Sequence, residues 1–194
     1  MVDKPRLLIV GGPNGSGKTT IALQYATAEG IPYIGADQIA GSIDPVTPES
    51  RRIEAGRQFI RSVDQAISSG QSCVCESTRA GLTIRNSINK AAETGFESTI
   101  VFVFVDSAEV CMARVAERVR KGGHNVPQQD IRRRFHRSIN NFWTLYRELV
   151  DNWVVLYNGG SQIQDVSMGS QQQITVRDEG LHNRFKAFVE SNND

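Results

Sequence analysis

Short apolar runs alternate with amphipathic stretches from one end of the chain to the other. Leu7-Leu8-Ile9-Val10, after Arg6, is a continuous apolar run closed by glycines and reads as a buried strand. A glycine-rich turn over 12–20 follows. Ile21, Ala22, Tyr25 and Ala26 then recur at helical spacing until Gly30. Pro32-Tyr33-Ile34 predicts a second short strand, ending near Gly35-Ala36-Asp37. After a loop over 44–48, Thr47 is placed to cap a helix with Pro48 at its first position. Ile53, Gly56, Phe59, Ile60, Val63 and Ile67 form that helix's apolar stripe, and Gly70 ends it. Ser72-Cys73-Val74-Cys75-Glu76 predicts a third strand, and residues 82–93 a helix stopped by Gly95. The most hydrophobic stretch, 99–105, is the expected central strand.

The second half continues the alternation. A helix over 110–120 is interrupted by Gly122-Gly123-His124-Asn125-Val126-Pro127. A long helix is then predicted over 128–150, with Ile131, Phe135, Ile139, Phe142, Tyr146 and Leu149 on its buried side. Residues 153–157 predict a fifth strand, and 161–178 is polar and weakly patterned, with room for a short strand pair at 163–166 and 174–176. A last helix carries Leu181, Phe185 and Phe188, and Trp143 and Trp153 are expected in the core. Alternating strands and helices imply an α/β fold of three layers: a five-stranded, mainly parallel sheet with helices on both faces. Neither repeats nor a low-complexity linker divide residues 1–194, which read as one domain. In such sheets, ligands bind beyond the carboxyl ends of the strands.

Composition narrows the field. With 39% hydrophobic and 22% charged residues over 194 positions, the chain can bury a core without staples. Cys73, Cys75 and Cys111 cannot pair off evenly, and the first two share one face of a strand, so a reducing, cytoplasmic setting is expected. The longest clean apolar run, 100–105, is far short of the roughly 20 residues a bilayer demands. Asp3-Lys4-Pro5 leads into the first strand without a cleavage pattern, so a signal peptide is not expected. A net charge of +1 excludes a globally basic nucleic-acid binder and leaves room for a local basic patch.

The strongest chemical signal is Gly12-Pro13-Asn14-Gly15-Ser16-Gly17-Lys18-Thr19, which matches G-x-x-x-x-G-K-[ST] between a strand and a helix. Its glycines let main-chain N–H groups of Asn14, Gly15, Ser16 and Gly17 converge on phosphate oxygens, and the helix N-terminus adds partial positive charge. Lys18 is expected on the outer phosphates, Thr19 on Mg²⁺, and Thr20 beside them. ATP and Mg²⁺ are therefore the expected cofactors of a P-loop NTPase fold.

The other strand ends supply candidate partners. Asp37 follows the second strand and is a candidate general base for a hydroxyl acceptor; its bland alternative is a turn or helix cap. Glu76, in Glu76-Ser77-Thr78-Arg79, ends the third strand as a metal or substrate ligand, with Thr78 and Arg79 as substrate contacts. Asp106 reads as the cap of the next helix rather than a metal ligand. Between residues 114 and 137 stand seven arginines and one lysine against Glu117 and Asp130. A helix-loop-helix over 111–137 carrying such forks could close as a lid over a nucleotide and exclude water. Arg132, Arg133 and Arg134 are consecutive and cannot all face one ligand, whereas Arg134 and Arg137 share a face and Arg118 lies on the other arm. Little aromatic interleaving accompanies them, which disfavours nucleic acid. His124 reads as a hinge residue, and Asn158, in Asn158-Gly159-Gly160 after the fifth strand, as a contact to the base.

Taken in order, these motifs resemble the zeta-toxin family of P-loop kinases: Gly11 through Thr20, Tyr33-Ile34-Gly35-Ala36-Asp37, Glu76-Ser77-Thr78-Arg79-Ala80-Gly81, the Arg118 to Pro127 segment with its Gly-Gly-His and Val-Pro, and Arg134-Phe135-His136-Arg137-Ser138. The resemblance implies an ATP-dependent small-molecule kinase with Lys18 on the phosphates, Asp37 as base, and Arg118 and Arg134 on the γ-phosphate. Arg120, Arg133 and Arg137 compete for that role. It implies a hydroxyl acceptor such as a sugar of UDP-N-acetylglucosamine, and an antitoxin-like inhibitor protein as partner. Two departures bear on the acceptor. Gln38-Ile39 stands where the family pattern has a small hydroxyl residue, and the chain is shorter than the best-known toxins. The alternatives are a kinase for another metabolite or antibiotic, or a nucleotide-dependent binding module without phosphoryl transfer.

Overall fold

The computed structural model describes residues 4–43, 52–78, 84–123, 125–171 and 173–191. Its strands are β1 (Arg6–Gly11), β2 (Tyr33–Gly35), β3 (Cys73–Ser77), β4 (Glu97–Phe104), β5 (Asn152–Tyr157), β6 (Gln164–Ser170) and β7 (Ile174–Val176). Its helices are α1 (Lys18–Glu29), α2 (Ala36–Ile43), α3 (Arg52–Ser68), α4 (Arg85–Glu93), α5 (Ala108–Arg120), α6 (Gln128–Thr144) and α7 (Glu179–Glu190). The sheet order is β2-β3-β1-β4-β5-β6-β7, parallel through β5 and antiparallel thereafter.

Strand alternation assigns the two faces. Leu8 and Val10 turn with Val74 and Val103 toward Ala22 and Ala26 of α1. Leu7, Ile9, Cys73, Cys75, Ile100 and Phe102 turn toward the larger core, where Phe59 and Val63 of α3 and Ile88 of α4 are buried. Cys73 and Cys75 thus share a face, and all three cysteines are free and buried, with burial pushing the Cys73 thiol up to about 11. Trp153 and Trp143 are core residues as expected. Among the described residues no helix is long and apolar enough to cross a membrane.

The structure corrects four expectations. The sheet has seven strands rather than five, because the weakly patterned tail adds β6 and β7 as an antiparallel extension. Only Val166 and Ser167 of β6 are buried, so the tail lacks the apolar signature of an interior strand. The predicted long helix stops at Thr144, and a 3-10 turn over Tyr146–Glu148 redirects the chain into β5 while burying Tyr146 completely. Helix α1 begins at Lys18, because Gly17 in left-handed conformation (φ 95°) starts it earlier than the apolar periodicity shows. Ile53, assigned to the buried stripe of α3, is instead 76% exposed. The Thr47 cap and the 44–48 loop lie outside the described residues, as do residues 82 and 83 of the predicted fourth helix.

Candidate active site

The carboxyl ends of β1, β2 and β3 open into a crevice of about 1120 Å³, lined also by α2, α3, α5 and α6. Its floor is the glycine loop. Gly12 sits at φ 141° with its Cα so close to β4 that a Cβ would fall 2.2 Å from the Val103 carbonyl oxygen. The amide of Asn158 donates to the Ser16 carbonyl at 2.9 Å, and a Cβ on Gly17 would meet that amide at 2.4 Å. Asn158 therefore clamps the loop from beneath and is not among the lining residues of the crevice. Helix α1 has no side-chain N-cap bond among the described residues and no acidic residue in its first turn, which leaves its positive end toward the crevice without an anionic side chain of its own.

Two buried polar groups of the loop bear on what it can hold. Ser16 Oγ is buried with no hydrogen-bond partner among the described residues. Lys18, 5% exposed, parks its ammonium on the Pro13 carbonyl at 2.8 Å and stands 3.8 Å from Glu76 Oε1. Burial lowers its pKa, while Glu76 and then Asp37 pull it back up. An orphaned hydroxyl, an uncapped helix start and a buried cation together fit a polyphosphate.

Glu76 is the hub of the acidic side. Its Oε2 accepts from Thr19 Oγ1 at 2.8 Å and from the Tyr33 hydroxyl at 2.7 Å. Burial, then Glu76, pushes the Tyr33 phenol well above its ordinary value, so it stays a donor. Thr19 and Glu76 are the pair a divalent cation would use alongside phosphate oxygens. Asp37 sits exposed in the first turn of α2 and lines the crevice, near enough to Lys18 and Tyr33 to act on both.

The arginines come from two arms. Arg118 of α5 and Arg133, Arg134 and Arg137 of α6 all line the crevice. The Arg134 guanidinium, 20% exposed, lies 3.5 Å from Asn14 Oδ1 and 3.4 Å from Asp130. Arg133 pairs with Asp130 at 2.8 Å. Arg120 points elsewhere, paired with Glu117 on the surface, and Arg132 pairs with Glu109 at 3.0 Å. Thr20 and Thr78 also line the crevice, while Arg79 and His124 lie outside the described residues.

Asp106 does not cap α5. Ser107 does, accepting from the Val110 amide at 3.3 Å. Asp106 instead accepts from the Tyr157 hydroxyl at 2.7 Å and pairs with Arg184 of α7, tying β4 and β5 to the last helix. Sequence reading gave no role to Tyr33, Arg57 or Arg61, all of which border the site, and counted Arg114 only as one of the arginines of the basic cluster. For Tyr33 the signals were its place in the Tyr33-Ile34-Gly35-Ala36-Asp37 motif and its position two residues before a glycine on a strand. Arg57 and Arg61 were visible only as a one-turn pair on a helix whose orientation the sequence leaves open.

A mixed α/β sheet with this loop and these walls is a P-loop kinase-like fold. Residues 7–138 match the AAA_33 family, an AAA domain, and the chain belongs to that family. A protein of Haemophilus influenzae with no described function is 33% identical over 124 residues, covering 64% of this chain and 88% of its own. Among solved structures, the AvrRxo1-ORF1:AvrRxo1-ORF2 complex with ATP gives a TM-score of 0.72 at 18% identity, over 95% of this chain and 64% of that one. The PezAT chromosomal toxin-antitoxin system of Streptococcus pneumoniae gives 0.66 at 14% identity, over 98% and 85%. A gluconokinase from Sinorhizobium meliloti gives 0.53 at 15% identity, over 97% and 93%. At these identities the likeness is one of fold.

Proposed function

We propose that the protein is an ATP-dependent kinase that phosphorylates a hydroxyl group of a small molecule. The observation that carries this reading is the meeting of three elements in one crevice: the glycine loop with Lys18, the Asp37 carboxylate, and the arginines of α5 and α6. A nucleotide switch needs the first element only.

Main-chain N–H groups of residues 14–17, Ser16 Oγ and Lys18 Nζ would hold the phosphates, with Lys18 exchanging the Pro13 carbonyl for phosphate oxygen. Thr19 and Glu76 fit Mg²⁺, which when bound supplies Lewis-acid neutralisation of phosphate oxygens. Asp37 orients the acceptor hydroxyl and takes its proton as the new O–P bond forms and the bond to the leaving ADP oxygen breaks. Arg118 and Arg134 neutralise the charge that spreads over the transferring group. They sit on the two arms of the 111–137 segment, which acts as a lid that excludes water. Asn158 keeps the loop in shape from below, which replaces the expected contact to the base.

The acceptor of this reading is a metabolite such as a nucleotide sugar, UDP-N-acetylglucosamine included, with Thr78, Arg79 and Arg137 among its contacts. The motif resemblance to zeta toxins and the fold shared with PezAT support that choice, together with a cytoplasmic site of action and an antitoxin-like inhibitor. The test is acceptor-dependent release of ADP from ATP in a metabolite extract, followed by mass spectrometry for a compound gaining one phosphate. Lys18→Ala and Asp37→Asn should each lower transfer by at least about 10²-fold. Parental activity of Asp37→Asn would remove it from the base role, and acceptor-independent turnover would favour the switch.

A further inference from the structure

The crevice is more cationic than the kinase reading requires. Among the described residues, seven arginines and Lys18 line it against two carboxylates, Asp37 and Glu76. Lys18, Arg118 and Arg134 are spoken for by the transferring phosphates. Arg133 is drawn to Asp130. Arg57 and Arg61 have a different origin. They come from α3, which packs on α2, the helix of Asp37, and not from the α5–α6 lid. Four residues apart, they present their guanidinium groups along one face. No acidic residue pairs with either among the described residues, although α3 itself carries Glu54 and Asp64. The Asp64 carboxylate accepts from Ser87 at 2.6 Å instead. Next to the two arginines the wall turns apolar, with Phe59, Ile60 and the exposed Ile53 lining the same crevice.

We infer that the acceptor carries its own phosphate, held by Arg57 and Arg61 while its carbon body lies on the Ile53–Ile60 wall and its hydroxyl faces Asp37. This deepens the proposed function by naming the acceptor class. Two guanidinium groups side by side, without an acidic partner among the described residues, match the oxygens of a phosphate ester, where lysines or a single arginine would give a less directional site. The same charge disfavours a cationic acceptor such as an aminoglycoside, and leaves a neutral polyol without a partner for either arginine.

The test separates the anion site from the chemistry. With the nucleotide site filled by a non-hydrolysable ATP analogue and Mg²⁺, inorganic phosphate is titrated calorimetrically into the full chain and into the Arg57→Ala, Arg61→Ala double variant. Both side chains are exposed, and the variant's circular dichroism and Tm verify its fold. Acceptors are then compared in pairs: ribose with ribose 5-phosphate, glucose with glucose 6-phosphate, N-acetylglucosamine with its 1-phosphate and its UDP derivative. The last pair tells a phosphomonoester from a nucleotide diphosphate. The expected result is phosphate binding that the double variant loses, and a KM for the phosphorylated acceptor that rises about 10- to 100-fold while KM for ATP stays within about twofold. Arg57→Lys, which keeps the charge without the fork, should recover part of the loss. Equal use of neutral and phosphorylated acceptors, or an unmoved KM in the double variant, overturns the inference while leaving the kinase reading intact. Phosphate binding that depends on both arginines without transfer to any acceptor does the reverse.

Discussion

The Tyr33 phenol reaches Glu76 because residue 35 has no side chain. Tyr33 and Gly35 lie on the same face of β2, and Gly35 is in register with Glu76 on β3. The ring lies so tightly over the glycine that a Cβ there would stand 2.3 Å from the phenol oxygen. One carboxylate oxygen then takes two donors, Thr19 and Tyr33. When the Thr19 hydroxyl turns to a divalent cation, Tyr33 is the donor that keeps Glu76 in place. It acts through Glu76 and is therefore a positioning residue. Tyr33→Phe should lower kcat about 10-fold and raise the Mg²⁺ concentration needed for half-maximal transfer, with KM for ATP within about twofold. Gly35→Ala should reproduce that displaced Mg²⁺ curve, since the added methyl drives the phenol off Glu76. A Mg²⁺ titration that superimposes on wild type in both variants would confine Tyr33 to packing.

At the scale of an element, the end of α5 shows how a loop sequence sets a functional side chain. The Gly123 amide donates to the Arg118 carbonyl at 2.9 Å and the Gly122 amide to the Val119 carbonyl at 2.9 Å, with Gly122 left-handed at φ 84°. This is a Schellman stop, and it accounts for the first glycine of the pair. The second has another reason: a Cβ on Gly123 would lie 2.5 Å from Arg118 Cγ and 3.0 Å from its carbonyl oxygen. The close approach fixes the stem of Arg118 where it leaves the helix. Gly123→Ala should therefore cost transfer more than stability, with kcat down at least about 10-fold and ATP affinity nearly kept, because the Arg118 charge acts on the transition state. Gly30→Ala provides the contrast. That position is also left-handed, at φ 64°, with open space around it, so its cost of about 1 kcal/mol should be strain alone. Urea unfolding and steady-state kinetics on both variants check the difference. A Gly123→Ala protein with full kcat would free Arg118 from this constraint.

For the whole molecule, what the sequence discloses follows from what each position answers to. Glycines forced by backbone geometry, as at Gly12 and Gly17, leave a motif that reads directly, and so does the apolar face of a buried parallel strand such as 7–10. The tail is different. Ser167 of β6 is buried because His182 of α7 meets it, Nδ1 to Oγ at 3.1 Å, and no local pattern announces a serine that a helix fifteen residues later will cover. Likewise Ile53 looks like core because its spacing is right, yet its neighbour is the crevice. The docking of α7 closes the molecule: Phe185 packs on Phe104, Trp143, Phe102 and Phe142 at 5.1 to 6.0 Å between ring centres. His182 borders this cluster, its ring 5.9 Å from Trp143. Burial lowers its pKa below the ordinary 6.5, and the Lys186 charge lowers it further. As pH falls through 6.5, the unfolded chain takes up a proton that the folded chain still refuses. The stabilisation present above 6.5 is thus lost on acidification toward the folded-state value. Between pH 7.5 and 5.5, above the ordinary range of carboxylates, Tm should fall and the amides of α7 should exchange faster with solvent. His182→Gln, which keeps a polar group opposite Ser167 without the titration, should flatten that slope. If the variant and the parent lose Tm equally over this interval, the pH dependence resides elsewhere and His182 does not set the stability of α7.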